Sequence, residues 1–211
     1  MELKGLTINF LGDSITEGVG TTDASKTFHQ LMKEKYDLKE AYNYGVGGTR
    51  IARQVVPSKE DTIYDYTFEL RAEVMNRKAD AVVVFGGTND FGHGDAPFGN
   101  VDSEDVYTFC GAVNSLCKKL KRNFPDAKIV FMTPLHRLRE KELSYPDSKN
   151  LESYVDAIIE ICKNNDISVI DLFRINPLDP EDKDVIPDGL HPNDKGHAIL
   201  ADIVAEELLK M

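Results

Sequence analysis

A serine follows the first apolar segment of the chain, in the stretch NFLGDSITEG at residues 9–18. A serine hydroxyl becomes a useful nucleophile when a tight turn ends a strand, opens a helix and exposes the hydroxyl beside backbone N–H groups. Ser14 and Asp13 also have an ordinary structural alternative, because both residue types frequently cap the helix that follows. The motif by itself therefore leaves both roles open, nucleophile and helix cap.

A second group with chemical potential lies near the other end of the chain, in the stretch DGLH from Asp188 to His191. A neutral imidazole accepts the serine proton when a carboxylate holds its tautomer and stabilises the imidazolium that forms. Three-residue spacing allows one turn to present both side chains, so Asp188 is a candidate to orient His191. An isolated D-x-x-H pair also occurs in surface turns, and it becomes informative only together with a nucleophile.

Acyl transfer also requires hydrogen-bond donors for the oxyanion of the tetrahedral intermediate. Asn89, in GGTND, follows an apolar segment, and its side-chain amide is one candidate donor. Gly48, in NYGVGG, is a candidate backbone donor because glycine tolerates positive φ. Each is an ordinary turn residue when it occurs alone. The prediction of an acyl-transfer site therefore rests on their combination with Ser14 and His191.

The four blocks GDSI, NYGVGG, GTND and DGLH resemble those of the SGNH (GDSL-type) hydrolase family, and they occur in that family's order along most of the chain. The resemblance implies that Ser14 is the nucleophile, His191 the base and Asp188 its partner. It further implies an oxyanion hole formed by the Ser14 N–H, the Gly48 N–H and the Asn89 side chain.

The resemblance also implies a fold. This is a three-layer α/β/α sandwich of the SGNH hydrolase type, with a flavodoxin-like, five-stranded parallel sheet in the order 2-1-3-4-5. Asp13 and Asp90 fit the same pattern, and we expect both to hold turns by accepting backbone N–H groups. Ile15 stands where the family's nickname has leucine; both are apolar helix-entry residues, so the departure changes little.

These residues predict a serine esterase that forms an acyl-enzyme and hydrolyses it with water, without a metal or an organic cofactor. The charged, proline-broken loops favour a small-molecule ester with a short acyl group, such as an O-acetyl group on a carbohydrate or small alcohol. A lysophospholipase or a thioesterase with the same triad is the alternative, because the motifs do not separate these activities. A metal-dependent phosphoesterase and a non-catalytic binding module on the same fold also stay open.

Further residues of the same loops are candidates for substrate contact. We single out Arg50, Phe91, His93 and His136, and the loops also contain Phe98, Arg137 and Tyr145. For any one of them a structural or solvated role is the more common one. His93 and His136 are the first to test, because they are polar groups flanked by small or apolar residues.

Five short apolar segments predict the strands that position this chemistry. They are residues 6–11, 41–43, 81–85, 128–132 and 167–172. In a parallel sheet the loops after these strands all emerge at the carboxyl edge, where open α/β proteins bind ligands. The four motifs are therefore predicted to meet at that edge.

Helical patterns alternate with the predicted strands. Two of them repeat apolar residues at steps of three and four, which places these residues on one helix face. They are Val106, Cys110, Val113, Cys117 and Leu120, and then Leu151, Tyr154, Val155, Ile158 and Cys162. A third helix is predicted after Pro192 and carries Ile199, Ile203 and Leu208. The alternation predicts a single α/β domain over residues 1–211.

The composition limits the kinds of partner that the protein could bind and the compartment in which it is expected. Lys and Arg total 25 against 36 Asp and Glu, so the net charge of −11 disfavours nucleic acid. No apolar run approaches the roughly 20 residues of a membrane span, and the N-terminus shows no secretory signal, so we expect a cytoplasmic protein.

Cys110 and Cys117, about 10 Å apart along one helix, are too distant to bridge and are expected to be reduced. Monomer and homo-oligomer both stay open.

Overall fold

The computed structural model describes residues 1–58 and 62–211, and a parallel sheet runs through its centre. The strands are β1 (Thr7–Gly12), β2 (Glu40–Gly45), β3 (Ala81–Phe85), β4 (Lys128–Met132) and β5 (Ser168–Ile170). Every neighbouring pair is parallel, and the strand order is β2-β1-β3-β4-β5. Both the five-stranded parallel sheet and the order implied by the resemblance are confirmed.

Helices cover both faces of this sheet. They are α1 (Ser14–Glu17), α2 (Phe28–Lys35), α3 (Phe68–Arg71), α4 (Thr88–His93), α5 (Phe109–Asn123), α6 (Leu151–Asn164), α7 (Leu172–Ile175) and α8 (Asp194–Leu209). The helices α5 and α6 pack together over one face, and α2 and α8 pack together over the other. The predicted three-layer α/β/α arrangement is therefore confirmed.

The sequence of β3, AVVVF, shows why the sheet is buried on both sides. Successive side chains of a strand point to opposite faces. Val82 and Val84 join the core under α5 and α6, whereas Val83 and Phe85 join the core under α2 and α8. A strand with apolar residues at every position can satisfy both faces, and its polar loops are left for the carboxyl edge.

Some predicted boundaries were wrong by a few residues. Val106 lies in a turn and is only half-buried, because α5 begins at Phe109, where the Thr108 side chain accepts the Gly111 N–H at 3.2 Å and caps the helix. The last strand is shorter than the predicted 167–172 segment, since α7 starts at Leu172. Apolar periodicity reports burial, but a capping side chain decides where a helix starts.

The predicted helix after Pro192 is present as α8. Of the residues named for it, Leu208 is fully buried and Ile203 packs against the core, whereas Ile199 is 39% exposed and Leu200 and Val204 are buried instead. The three cysteines are free and buried, as expected for reduced, core-filling thiols. Among the helices in the described part of the chain, none is long and apolar enough to cross a bilayer.

Candidate active site

Ser14 lies at the junction between β1 and α1. The strand ends at Gly12, and a Cβ at that position would lie 1.9 Å from Thr16 Oγ1, so glycine is needed for the chain to turn here. Asp13 is the residue that caps α1, because its carboxylate accepts the Ile15 N–H at 3.0 Å. Of the two roles left open by the GDS motif, the cap therefore belongs to Asp13, and the Ser14 hydroxyl remains available for another partner.

That partner is His191, which the loop before α8 brings to the carboxyl edge of the sheet. Ser14 Oγ lies 3.0 Å from His191 Nε2, across 177 positions of sequence. His191 Nδ1 lies 2.7 Å from Asp188 Oδ2. Ser14, His191 and Asp188 thus form a continuous hydrogen-bonded relay, which is the arrangement that activates a hydroxyl for attack on a carbonyl carbon.

The Asp188 carboxylate is held in the orientation that this relay needs. Its Oδ1 accepts the backbone N–H groups of Leu190 at 2.9 Å and of His191 at 2.7 Å, leaving Oδ2 for the imidazole. Partial burial opposes ionisation, but these N–H groups and the imidazole outweigh it and keep the pKa of Asp188 below its ordinary value. The carboxylate is therefore ionised wherever an imidazole base is neutral.

The start of α4 and the loop after β2 bring the candidate oxyanion donors to the same edge. Asn89, in α4, is 5% exposed, and its Nδ2 donates to Thr49 O at 3.0 Å, which fixes the amide plane. Gly48 has a φ of 72°, and a Cβ there would lie 2.3 Å from the Tyr64 ring. Glycine is therefore required at this position both by the backbone conformation and by the close packing of Tyr64.

Asp90 holds the turn that carries Gly48 and Thr49. Its carboxylate accepts the N–H groups of Ile51 at 3.0 Å and Ala52 at 2.9 Å. Burial raises the pKa of Asp90, and likewise that of Asp13, to about 6. The predicted role of both carboxylates, acceptance of backbone N–H groups in turns, is confirmed.

One residue that supports the site was missed in the sequence. Arg71, in α3, is fully buried and donates from Nη1 to the carbonyl oxygens of Gly12 and Tyr44, at the ends of β1 and β2. Its Nε donates to Tyr66 O at 3.1 Å and its Nη2 to Thr49 Oγ1 at 2.7 Å. Burial lowers the pKa of Arg71 to about 10. No local signal marks it, because an arginine in a short helix ordinarily indicates a solvated face.

The predicted substrate residues Arg50, Phe91 and His93 lie together beyond Asn89. Arg50 is 5% exposed and donates from Nη1 to His93 Nδ1 at 3.0 Å and to His93 O at 3.1 Å. Phe91 is buried and makes an edge-on contact with the Tyr154 ring, with the ring centroids 5.8 Å apart. Only His93 of these three is exposed at the edge.

His136 lies on the other side of the site, in the loop after β4. Its ring stacks on Phe173 with the centroids 3.8 Å apart, and its Nδ1 lies 2.8 Å from Glu140 Oε2. It also lines a narrow crevice together with Asp13, Thr88 and Leu190, which precede Ser14, Asn89 and His191 in the sequence. His136 is therefore held by a ring contact and a carboxylate, next to the residues that flank the candidate site.

A cleft of about 230 Å³ opens beside Asn89, between α4 and the loop after β4. We call it the Arg137 cleft, and its walls include Phe91, His93, Arg137, Arg139, Glu142 and Tyr145. Its walls carry charged side chains, and one of them, Arg137, contacts Thr88, the residue before Asn89. Within residues 1–58 and 62–211, no cluster of three His, Cys, Asp or Glu side chains is arranged as metal ligands.

Comparison with known proteins gives this geometry a family. The model of the GDSL-like Lipase/Acylhydrolase family matches residues 10–199. The chain belongs to this family. The match extends from β1 into α8, so it includes the segments that carry Ser14, Asn89 and His191, and the resemblance drawn from the four sequence blocks is confirmed.

Relatives of this GDSL-like protein include one curated enzyme and several solved structures. An acetylxylan esterase of Xylanibacter ruminicola is 28% identical over 217 residues, which cover 92% of this chain and 41% of that enzyme. A structure from Lactobacillus plantarum is 25% identical with a TM-score of 0.82 and covers 98% of both chains. The lipase/acylhydrolase of Enterococcus faecalis is 22% identical with a TM-score of 0.63, covering 96% of this chain and 95% of its own. The chain spans less than half the length of that acetylxylan esterase.

Proposed function

We propose that this protein is a carboxylic ester hydrolase that uses Ser14 as the nucleophile, His191 as the general base and Asp188 as the group that orients the imidazole. The observation that carries the proposal is the unbroken relay, 3.0 Å from Ser14 Oγ to His191 Nε2 and 2.7 Å from His191 Nδ1 to Asp188 Oδ2. Both distances lie within the range in which a proton passes between heavy atoms.

The reaction proceeds in two steps. His191 Nε2 takes the proton of Ser14 as Oγ attacks the ester carbonyl, and the imidazolium then protonates the departing alcohol. Water, deprotonated by His191, next attacks the acyl group on Ser14, and the imidazolium returns the proton to Ser14 Oγ as the acid is released. In both steps the N–H groups of Ser14 and Gly48 and the side chain of Asn89 stabilise the oxyanion.

The substrate that we propose is an ester of a short acyl group, such as acetate on a carbohydrate or a small alcohol. The walls of the Arg137 cleft carry charged side chains, among them Arg139 and Glu142, and desolvating these against a long hydrocarbon chain is unfavourable. The acetylxylan esterase relative supports the same acyl group. A polar cleft of this kind suits a hydroxylated alcohol better than a lipid tail.

The test is hydrolysis of p-nitrophenyl esters from acetate to palmitate by the wild-type protein, Ser14→Ala and Ser25→Ala. Ser25 is exposed, so its variant makes the same chemical change away from the site. We expect wild type and Ser25→Ala to cleave the acetate fastest, and Ser14→Ala to lose turnover while it keeps its fold by circular dichroism.

A parallel series with a chelator separates the esterase from the metal-dependent phosphoesterase. Unchanged ester hydrolysis in its presence supports the serine mechanism. Loss of activity with the chelator, or a Ser14→Ala variant that works as well as wild type, would refute the proposed triad. Cleavage of thioesters or lysophospholipids in preference to acetate would replace the substrate class while leaving the triad in place.

A further inference from the structure

Arg137 is a half-buried cation that has no carboxylate within ion-pair distance in the described part of the chain. Its Nη1 donates to Thr88 O and to Thr88 Oγ1, both at 3.1 Å, and its guanidinium lies 5.7 Å from the centroid of the Phe91 ring. Its Nε is buried without a hydrogen-bond partner. Since charges removed from water are normally paired, this guanidinium carries an uncompensated charge at the wall of a cleft.

The other charged groups of the Arg137 cleft do not neutralise it. Glu142 is occupied by Arg139, which donates from Nε to Oε1 and approaches Oε2 with Nη2, both at 2.7 Å. Burial and the neighbouring charge of Arg139 lower the pKa of Arg137, and the carboxylates of Asp13, Asp188 and Glu142 only partly oppose this. The cleft therefore presents one net positive charge, in a protein whose formal net charge is −11.

His93 adds a neutral donor to the same wall. Its Nδ1 faces Arg50 Nη1 at 3.0 Å, and a guanidinium can only donate, so Nδ1 is the acceptor. The proton of the neutral ring is then on Nε2. Although His93 is exposed at the edge, partial desolvation of its ring, together with the charges of Arg50 and Arg137, lowers its pKa to about 4, so the ring stays neutral at physiological pH.

Arg137 lies close in structure to the segments that carry Asn89 and His191. Thr88, which it contacts, directly precedes Asn89 in α4. On its other side, the N–H of Leu138 donates to Gly189 O at 2.9 Å, inside the loop that carries Asp188 and His191. The segment around Arg137 thus contacts both α4, which carries the candidate oxyanion donor, and the loop that carries the candidate base.

We propose that the Arg137 cleft binds a carboxylate on the alcohol part of the substrate, so that the enzyme prefers acetyl esters of acidic alcohols to those of neutral ones. This inference rests on the proposed function. Arg137 Nη2, which makes no hydrogen bond to the described residues, donates to the carboxylate, and His93 Nε2–H is a second donor on the same wall. A guanidinium suits this role because it is always charged and matches the shape of a carboxylate.

The experiment compares kcat/KM for meta- and para-acetoxybenzoate with that for the corresponding acetoxybenzamides, which have the same shape but no charge. We expect wild type to favour the anionic esters about 10- to 100-fold, the range of one charge-assisted hydrogen bond. Arg137→Gln should abolish this preference, and Arg137→Lys should retain part of it. Arg77→Gln removes the same charge from an exposed residue before β3, at the opposite edge of the sheet, and should leave the preference unchanged.

A binding measurement tests the same cleft without turnover. Benzoate and benzamide are titrated by calorimetry into wild type, Arg137→Gln and Arg137→Lys. The inference is supported if benzoate binds more tightly than benzamide to wild type and to Arg137→Lys but not to Arg137→Gln. This holds even if no ester is cleaved and the proposed function fails. Equal binding of the two ligands overturns the inference. So does Ser14-dependent cleavage of charged and neutral esters at equal rates, which would leave the proposed function intact.

Discussion

Arg71 donates from Nη2 to Thr49 Oγ1 at 2.7 Å, and the carbonyl of the same Thr49 accepts the Asn89 amide at 3.0 Å. The remaining nitrogens of Arg71 bind the carbonyl oxygens of Gly12, Tyr44 and Tyr66. One buried guanidinium therefore links the end of β1, next to Ser14, to the loop that orients the candidate oxyanion donor.

Replacing Arg71 with methionine should destabilise the protein by at least about 3 kcal/mol, because several buried carbonyl oxygens lose their donors at once. The free energy of unfolding in urea measures this effect. Arg77→Met, at an exposed arginine bonded to Glu73, is the control and should change stability by less than about 1 kcal/mol. If the two variants unfold at the same urea concentration, Arg71 does not support the site in the way its contacts indicate.

Asn89→Ala should lower kcat by about 10² to 10³, the usual loss for one oxyanion donor. Asn114→Ala is a matched control, because Asn114 is also buried and its Nδ2 donates to a backbone carbonyl, Ser103 O, at 2.9 Å. We expect the control to change the melting temperature without a comparable loss of kcat. Full turnover by the Asn89 variant would remove Asn89 from the mechanism.

Asp188→Asn should lower kcat by about 10⁴ while leaving the fold intact. The new amide oxygen can still accept the N–H groups of Leu190 and His191, which turns its NH₂ group toward His191 Nδ1. The imidazole is then forced to carry its proton on Nε2, where it cannot accept the proton of Ser14.

The control for this variant is Asp184→Asn, an exposed carboxylate of the same loop, which removes the same charge. We expect it to keep wild-type turnover in the same ester assay. If Asp184→Asn and Asp188→Asn lose activity equally, the effect comes from the charge of the loop and the tautomer explanation is wrong.

The buried His29 should make stability fall with acid. Its Nε2 donates to Thr16 O at 3.0 Å, and burial lowers its pKa from 6.5 to about 4. Between these values the unfolded chain binds a proton that the folded protein excludes, so the free energy of unfolding drops as pH falls, by about 1 kcal/mol per pH unit near pH 5. His29→Gln should reduce the pH slope of urea unfolding by this amount, and an unchanged slope would contradict the assignment.

Asp90 should change the pH dependence of the free energy of unfolding in the opposite direction. Its pKa is raised to about 6 from 3.8, so in this interval the folded protein binds a proton that the unfolded chain does not, and stability rises as pH falls. Asp90→Asn should therefore steepen the acid loss of stability that His29→Gln flattens. Urea unfolding at several pH values between 4 and 6.5 measures both variants against wild type, and a shift of the same sign in both would refute this explanation.

The positions of the strands could be predicted because a buried strand requires a local run of apolar residues. The segments 81–85 and 128–132 agree with β3 and β4 at both ends, since each contains the run of apolar residues that a doubly covered strand requires, with Lys128 as the exposed first residue of β4. Val106 was placed wrongly for a related reason. Its spacing fits the face of α5, but the Thr108 side chain caps the helix two residues later. Apolar spacing cannot distinguish a helix residue from one that packs just before the cap.

The sequence by itself determined the alternation of strands and helices and, through four short blocks, which residues are candidates for the relay. It did so because strand and helix periodicity are local properties, and because Asp188 and His191 are separated by only one turn of chain. Only the tertiary structure decided the partners of the buried polar groups. Arg71 meets Thr49 across 22 positions and Gly12 across 59. A buried donor takes whichever acceptor the packed chain brings to it, and nothing in the residues around Arg71 or Arg137 specifies which acceptor that will be.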